Sequence, residues 1–456
     1  MKAKHLKQVL TATNHRDNVP IVQKHVDMFL GEKSLVSLQH DSWKSHRRII
    51  GRAFHWKCLK AMTGDINNLG ALFARQLIAR NGTVVEMYKA SKCVTLDVIG
   101  RLSFGYDFKC TSHLETSAVA DSLEFMLTDL DRRRFVDSLN PAAYFYWWPN
   151  EHNKKYDQAQ RVIRGTIQDA ISSRRTNLPP SSAQSTEKGT HPPPPSGPEE
   201  MPIIEGSTRI SDLLTHLLQA QHENPQEFDD SSLEDSLRTF IFAGYDTTSV
   251  LLTYLFYIMA SRPDVEKKVL EEISRVLGSD CGDGDGGGMP SYESLQGDFP
   301  YCSAVINETL RLYAPVPLTS RNLTEPITLQ VEVPDGGGAA QRSVTLPTGT
   351  MMYIPIWWIH RHESNFERPL EFLPERFLGP QGKSLTTGFG FLPFSGGGRD
   401  CVGRRLVILE VLCVFIHAVR AVSFSLLDGY EMVPVAVGTI QRPRDLLPLE
   451  IAARKI

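Results

Sequence analysis

The sequence lacks any apolar run approaching the ~20 residues that a bilayer-spanning helix needs. It opens Met1-Lys2-Ala3-Lys4-His5-Leu6-Lys7, a polar start without the apolar core of a secretory signal. Its cysteines (Cys58, Cys93, Cys110, Cys281, Cys302, Cys401 and Cys413) fall at no spacing that suits a zinc module or a disulfide framework, which points to a reducing compartment. The net charge of −3 is not the strongly basic balance of a nucleic-acid binder. What remains is an ordinary globular composition, 41% hydrophobic and 22% charged over 456 residues, enough for one large core or two domains.

Two stretches stand apart from the periodic segments. Residues 176–208 are rich in Pro, Ser, Thr and Gly and include Pro192 to Pro195; they carry too little apolar surface to order themselves and read as a disordered insert between two helices. Residues 279–289 form a Gly/Asp loop in which Asp283 and Asp285 superficially suggest a calcium loop. The other ligand positions and the terminal Glu are missing, so a solvated linker is the better reading. Elsewhere the spacing is helical. Residues 1–40 hold a short helical pattern from His5 to Leu10 followed by polar loop. Residues 62–140 are mostly helical, Ser231 to Ser261 read as one long helix, and Leu406 to Val419 as another. The cluster Tyr144-Phe145-Tyr146-Trp147-Trp148-Pro149 reads as core packing, with membrane contact the minority reading.

The chemistry concentrates at Phe394-Ser395-Gly396-Gly397-Gly398-Arg399-Asp400-Cys401-Val402-Gly403. The apolar run beginning at Leu406 puts Cys401 at or just before a helix N-terminus, where free N–H groups and the helix dipole favour a thiolate. Three glycines can adopt positive φ, so backbone amides are expected to close around one sulfur. An anionic sulfur of this kind suits a soft, electron-donating metal ligand, whereas the bland alternative is a buried cysteine in a Gly-rich turn.

The pattern Phe, Gly, Arg, Cys and Gly at these intervals resembles the cysteine loop of the cytochrome P-450 family, the haem-thiolate monooxygenases, in its eukaryotic microsomal type. The resemblance implies a mainly α fold with a small β part and a single domain over 1–456. It implies Cys401 as axial ligand of haem b iron, Phe394 and Gly403 beside it, and Arg399 on a haem propionate. Trp43 and Arg47, four apart on one helix face, are similar to the family's C-helix pair that donates to a propionate, and Arg321 becomes another partner of these carboxylates. Ala243-Gly244-Tyr245-Asp246-Thr247-Thr248 resembles the helix that crosses the haem. There a Thr247 hydroxyl bonded to the Ala243 carbonyl would loosen the helix, Gly244 would leave room for dioxygen and water, and Asp246 with Thr247 would relay protons. The competing reading places Asp246 in a salt bridge. Glu308, Arg311 and Arg376 match a buried ion network that holds the cysteine loop and takes no part in catalysis.

The resemblance also carries partners and a place. It implies electrons from NADPH through a separate reductase, docked on a basic face of Lys44, Arg47, Arg48, Arg52, Arg404 and Arg405; a plain solvated face is an equal reading. It implies dioxygen and a small lipophilic substrate, a monomer, and the cytosolic face of the endoplasmic reticulum membrane. It runs from about His5 to the C-terminus, so the family's membrane anchor, hinge and first hairpin would precede Met1. The strand near Met352-Tyr353-Ile354-Pro355-Ile356 is therefore expected at an exposed edge. The chain departs from the family at Val407, Ala314 and Arg368, none of which touches the expected iron ligand. A haem-thiolate isomerase or dehydratase and an inactive haem-binding remnant are the alternatives.

Overall fold

A computed structural model describes residues 3–12, 20–136, 150–177, 212–278, 288–335 and 338–454. The aromatic cluster 144–149 and nearly all of the two stretches 176–208 and 279–289 lie outside the described residues.

The first half runs α1 (Ala3–Ala12), α2 (Pro20–Leu30), α3 (His40–Ala53), α4 (Trp56–Ile78), β1 (Thr83–Glu86), α5 (Met87–Phe104), α6 (Ala118–Val136) and α7 (Glu151–Asn177). Then follow α8 (Leu213–Glu223), α9 (Asp230–Ser261), α10 (Pro263–Leu277), α11 (Tyr292–Gly297) and α12 (Pro300–Leu312). Four strands come next: β2 (Thr319–Asn322), β3 (Ile327–Asp335), β4 (Gly338–Leu346) and β5 (Met351–Ile354). The last quarter holds α13 (Ile356–Ile359), a 3-10 turn Pro374–Phe377, α14 (Gly379–Thr387), α15 (Arg404–Ala421) and strands β6 (Val422–Leu426), β7 (Pro434–Val437), β8 (Ile440–Pro443) and β9 (Pro448–Ala453). The fold is mainly α, as the sequence implies.

Helix α9 is the axis of the molecule. Its 32 residues span about 48 Å at 1.5 Å per residue. Asp229 caps it by accepting from the Ser232 amide. From Val250 to Phe256 every side chain is buried, because this stretch is apolar or small on all sides. Helix α5 is buried along nearly its whole length and lies against α9 closely: a Cβ on Gly244 would stand 2.7 Å from Ile99 Cδ1, and Thr95 donates to the Tyr245 carbonyl at 2.8 Å. Helices α4, α12 and α15 complete the main core with residues such as Phe73, Leu310 and Phe415.

One long-range cap sets the entry of α12. Glu272 of α10 accepts from the amides of Tyr301 and Cys302, both at 2.8 Å, and Pro300 occupies the first helical turn. A carboxylate there satisfies two orphan donors and complements the helix dipole.

Residues 1–40 correct the sequence reading in one respect. The segment read as polar loop contains α2, which starts at Pro20, a residue pre-set for a first helical turn, and buries Phe29 and Leu30. The expectation for β5 holds. Among the described residues it pairs only with β2, antiparallel with Thr319 opposite Ile354, and Tyr353 is 59% exposed. The N-terminal segment supplies a helix there, not a strand. Leu6 and Leu10 of α1 pack on Ile354, Ile356 and Ile359.

Replacing Glu272 with Ala removes the acceptor for two buried amides and is expected to cost about 1–3 kcal/mol. The check is the urea-unfolding midpoint, with Glu272→Gln, which keeps one acceptor, falling between the variant and the native chain. An unchanged midpoint for Glu272→Ala would mean that water caps α12 equally well.

Candidate functional site

The cysteine loop is a folded strap. Ser395 and Gly397 have φ of 61° and 72°, the Ser395 amide donates to the Leu392 carbonyl at 3.0 Å, and the Cys401 amide donates to the Phe394 carbonyl at 3.0 Å. Gly397 cannot be replaced without movement, because a Cβ would sit 1.9 Å from the Leu10 carbonyl oxygen of α1. Helix α15 begins at Arg404 with Gly403 as its cap, which puts Cys401 just before a helix N-terminus as expected.

The amides around the sulfur come from elsewhere than the glycines read from sequence. Gly403 and Arg404, after the cysteine, present their N–H groups to it. They do not decide its charge. The sulfur is solvent-accessible yet surrounded by protein on most sides, and burial pushes the thiol above its ordinary range. The two amides and the Arg47 guanidinium oppose that rise, and Asp400 adds to it. Burial is the larger effect, and the amides and the guanidinium offset it in part. A bound cation would supply the missing stabilisation.

Three guanidinium groups and one indole gather at this loop. Arg47 donates to the Asp400 carbonyl at 2.8 Å and pairs with its carboxylate at 2.6 Å. Arg321 of β2 is buried and donates to Ser395 Oγ at 3.1 Å and the Gly396 carbonyl at 3.2 Å. Arg399 donates to the Leu38 carbonyl at 2.8 Å and Gln39 Oε1 at 2.7 Å, with its guanidinium 4.1 Å from the centre of the Trp43 ring. Trp43 itself is buried. These four side chains are brought together as the resemblance implies, and their donors suit a group carrying two carboxylates.

The loop connects to α9 through Phe54. That ring lies 3.9 Å from where a Cβ of Gly403 would be, and 5.6 Å from the Phe240 ring of α9. Phe240, Ala243 and Thr247 follow at helical spacing on one stripe. Ala243 is exposed and Thr247 half-buried, although α9 is buried beyond them. The Thr247 hydroxyl donates back to the Ala243 carbonyl at 2.7 Å, as read from the sequence.

Two readings on this helix need correction. Gly244 does not open a groove; it admits Ile99 of α5, on another side of the helix. Asp246 does not share Thr247's face. Its Oδ1 accepts from the Tyr88 hydroxyl at 2.5 Å and lies 3.3 Å from the Lys92 ammonium, both on α5. Lys92 also pairs with Glu124 of α6, which accepts from Arg442 of β8 at 2.7 Å. Asp246 Oδ2 is buried without a hydrogen-bond partner. The salt-bridge reading is the one this arrangement realises. No motif marked Tyr88, Lys92, Glu124 or Arg442, because α5 carries other charged residues (Lys89, Asp97 and Arg101) and Lys92 does not stand out among them.

The ion network forms as expected. Arg311 donates to both oxygens of Glu308, at 2.7 and 2.8 Å, and neither side chain has any exposure. Arg376 adds a bond to Glu308 at 3.2 Å, and the Leu373 amide another at 2.8 Å. Arg311 further donates to the carbonyls of His360, Pro369 and Glu371. His360, fully buried and linked to the Leu392 amide, went unnoticed in the sequence, since a lone histidine after Trp357-Trp358-Ile359 reads as core.

A family model described as Cytochrome P-450 matches residues 1–444. The chain belongs to the cytochrome P-450 family. Members of this family bind haem b, and the accessible sulfur, the cationic cluster and the open stripe of α9 fit that group. The probable cytochrome P-450 4d20 of Drosophila melanogaster is 29% identical over 413 residues, covering 89% of this chain and 73% of the relative. Human cytochrome P-450 4Z1 is 26% identical, covering 91% and 74%. The cytokinin hydroxylase of Arabidopsis thaliana is 26% identical, covering 91% and 70%. The chain is thus a haem-thiolate protein of a monooxygenase family. No helix among its described residues is long and apolar enough to cross a membrane.

Removing Glu308 strands a buried guanidinium, so Glu308→Ala is expected to cost about 3–5 kcal/mol, and Arg376→Ala, at the edge of the network, less. Chemical unfolding of the two variants checks the order. A second expectation concerns pH. Burial holds His360 down to about 3 and His417 to about 4, so both enter the folded state neutral. The unfolded chain binds their protons below its histidine value of about 6.5, and stability falls as pH drops from there toward 3. Melting temperatures across that window should decline, and a flat profile would contradict the neutral assignment.

Proposed function

We propose that the chain inserts one atom of dioxygen into a small lipophilic substrate, with Cys401 as the axial ligand of haem iron and electrons from NADPH through a separate reductase. The observation that carries this is the accessible sulfur of Cys401 on a loop that also gathers Arg47, Arg321, Arg399 and the indole of Trp43. The bound haem supplies dioxygen activation, aided by electron density from the thiolate. The three arginines neutralise its carboxylates, and Trp43 holds Arg399 in place by stacking.

Thr247 stands on the open stripe and holds a donor in line there. Asp246 supplies protons from behind. It is reached from the α5 side through Tyr88 and Lys92, and Glu124 at the outer end is half-exposed. The side-chain rotation that brings Asp246 toward Thr247 completes the relay. Lys44, Arg48, Arg52, Arg404 and Arg405 are exposed around the cysteine loop and α3, and that basic face suits an acidic redox partner at the cytosolic face of the endoplasmic reticulum membrane.

A second reading draws on the same aspartate. With Asp246 tied to Tyr88 and Lys92, the chain could run as an isomerase or dehydratase that rearranges a peroxide without external electrons.

The reduced protein with carbon monoxide should show a thiolate-type difference band, which Cys401→Ala abolishes; no band in the native chain would leave an inactive haem-binding remnant. With a reductase, Asp246→Asn should lower NADPH-driven product formation by about 100-fold. Unchanged turnover of an organic hydroperoxide without NADPH, in the native chain and Asp246→Asn alike, would favour the second reading.

A further inference from the structure

His360 closes α13 and is buried from every side. Its Nδ1 lies 3.1 Å from the Arg311 carbonyl, and its Nε2 lies 2.8 Å from the Leu392 amide nitrogen. An amide nitrogen only donates, so Nε2 carries no proton. Nδ1 then bears the hydrogen and donates to Arg311. One neutral tautomer satisfies both contacts, and no other does.

The tie to α12 is reciprocal, since Arg311 Nη1 donates to the His360 carbonyl at 2.8 Å. The ring is held on its faces as well. Phe391 stacks with it at 5.3 Å between centroids, and Phe366 meets it edge-on at 6.2 Å. On the far side stands Leu392, where the cysteine strap begins. The Leu392 carbonyl accepts from Ser395, and the strap closes where Cys401 donates to the Phe394 carbonyl. A continuous set of hydrogen bonds thus runs from the Glu308–Arg311 pair through one imidazole to the loop that carries the sulfur.

We propose that His360 is a positioning residue that transmits the position of the buried ion pair to the Leu392 amide and so sets how Cys401 is presented to iron. The proposal rests on Cys401 being the haem ligand. It adds that the ion network reaches the strap through the acceptor at Nε2. Loss of that acceptor frees the Leu392 end of the strap, and the sulfur then loses its fixed position relative to the metal. The imidazole touches no reacting group.

Two substitutions in the full chain separate the acceptor from the bulk of the ring. His360→Gln places a carbonyl within reach of the Nε2 position and keeps an acceptor for Leu392. His360→Asn reaches only the Nδ1 position, so it keeps the bond to the Arg311 carbonyl and leaves Leu392 unpaired. Both lose the ring between Phe366 and Phe391, and both should lower the melting temperature to a similar degree. Hydrogen exchange at the Leu392 amide should speed by roughly tenfold or more in His360→Asn and change little in His360→Gln, in haem-free and haem-loaded protein alike. The reduced carbon monoxide spectrum should keep its thiolate-type band in His360→Gln and move toward the band of a neutral axial ligand in His360→Asn. Unchanged Leu392 exchange in His360→Asn overturns the proposal. So does loss of the thiolate band in both variants in step with melting temperature, which would mark the ring as packing alone. A native chain without a thiolate band would refute the monooxygenase reading, while Leu392 exchange would still judge the tie by itself.

Discussion

A carboxylate and a guanidinium with no access to water, Glu308 and Arg311, set the terms for the segment between α13 and the cysteine strap. Taking two charges out of water costs several kcal/mol per ion, and their mutual attraction repays it only when the remaining lone pairs and protons are also used. Here they are used. The Glu308 oxygens take Arg311, Arg376 and the Leu373 amide, and Arg311 spends its other protons on the carbonyls of His360, Pro369 and Glu371. Those partners lie on a stretch with little regular secondary structure between α13 and α14. A long irregular segment is costly to order because backbone entropy opposes it. A charge pair that needs all its acceptors supplies the reason for each turn to sit where it does, and the stretch ends against the strap that holds Cys401.

Helix geometry imposes a second constraint. Consecutive residues on an α-helix point about 100° apart, so Asp246 and Thr247 leave the helix in different directions. The hydroxyl goes to the open stripe with Ala243, and the acid goes to α5, where Tyr88 and Lys92 receive it. This split places a charged, partly solvent-connected cluster behind the helix and the open stripe of Ala243 and Thr247 in front of it. Oδ2, buried without a partner, is the one acceptor still uncommitted on the acid.

The features legible in the sequence were those carried by local spacing. Helices α9 and α15 lie within two residues of where periodicity put them, and Glu308 with Arg311, three apart on one helix, form the pair that their spacing announced. What was not legible depends on partners remote in sequence. Tyr88 meets Asp246 across 158 positions, and Gly397 is required by a carbonyl at residue 10. Gly244 looked like room for a ligand and turned out to admit Ile99. In each case the residue type was informative about what it could permit, while the tertiary neighbour decided what it does permit. Helix α2 was missed for a different reason: at 11 residues it is a short window of mixed apolar and polar residues, with its buried Phe29 and Leu30 only at the end.

The cysteine shows how far local electrostatics reach. Two amides and a guanidinium favour a thiolate at Cys401, yet burial and the neighbouring Asp400 outweigh them. A bound cation would tip this balance toward the anion. The surrounding arginines take part in the same balance. Arg47 is paired to Asp400 beside the cysteine, and a ligand carboxylate that draws on Arg47 also changes the field at the sulfur. Arg47 thus links the carboxylate beside the cysteine to the cationic cluster, and the Glu308–Arg311 pair holds the stretch that leads to the same strap.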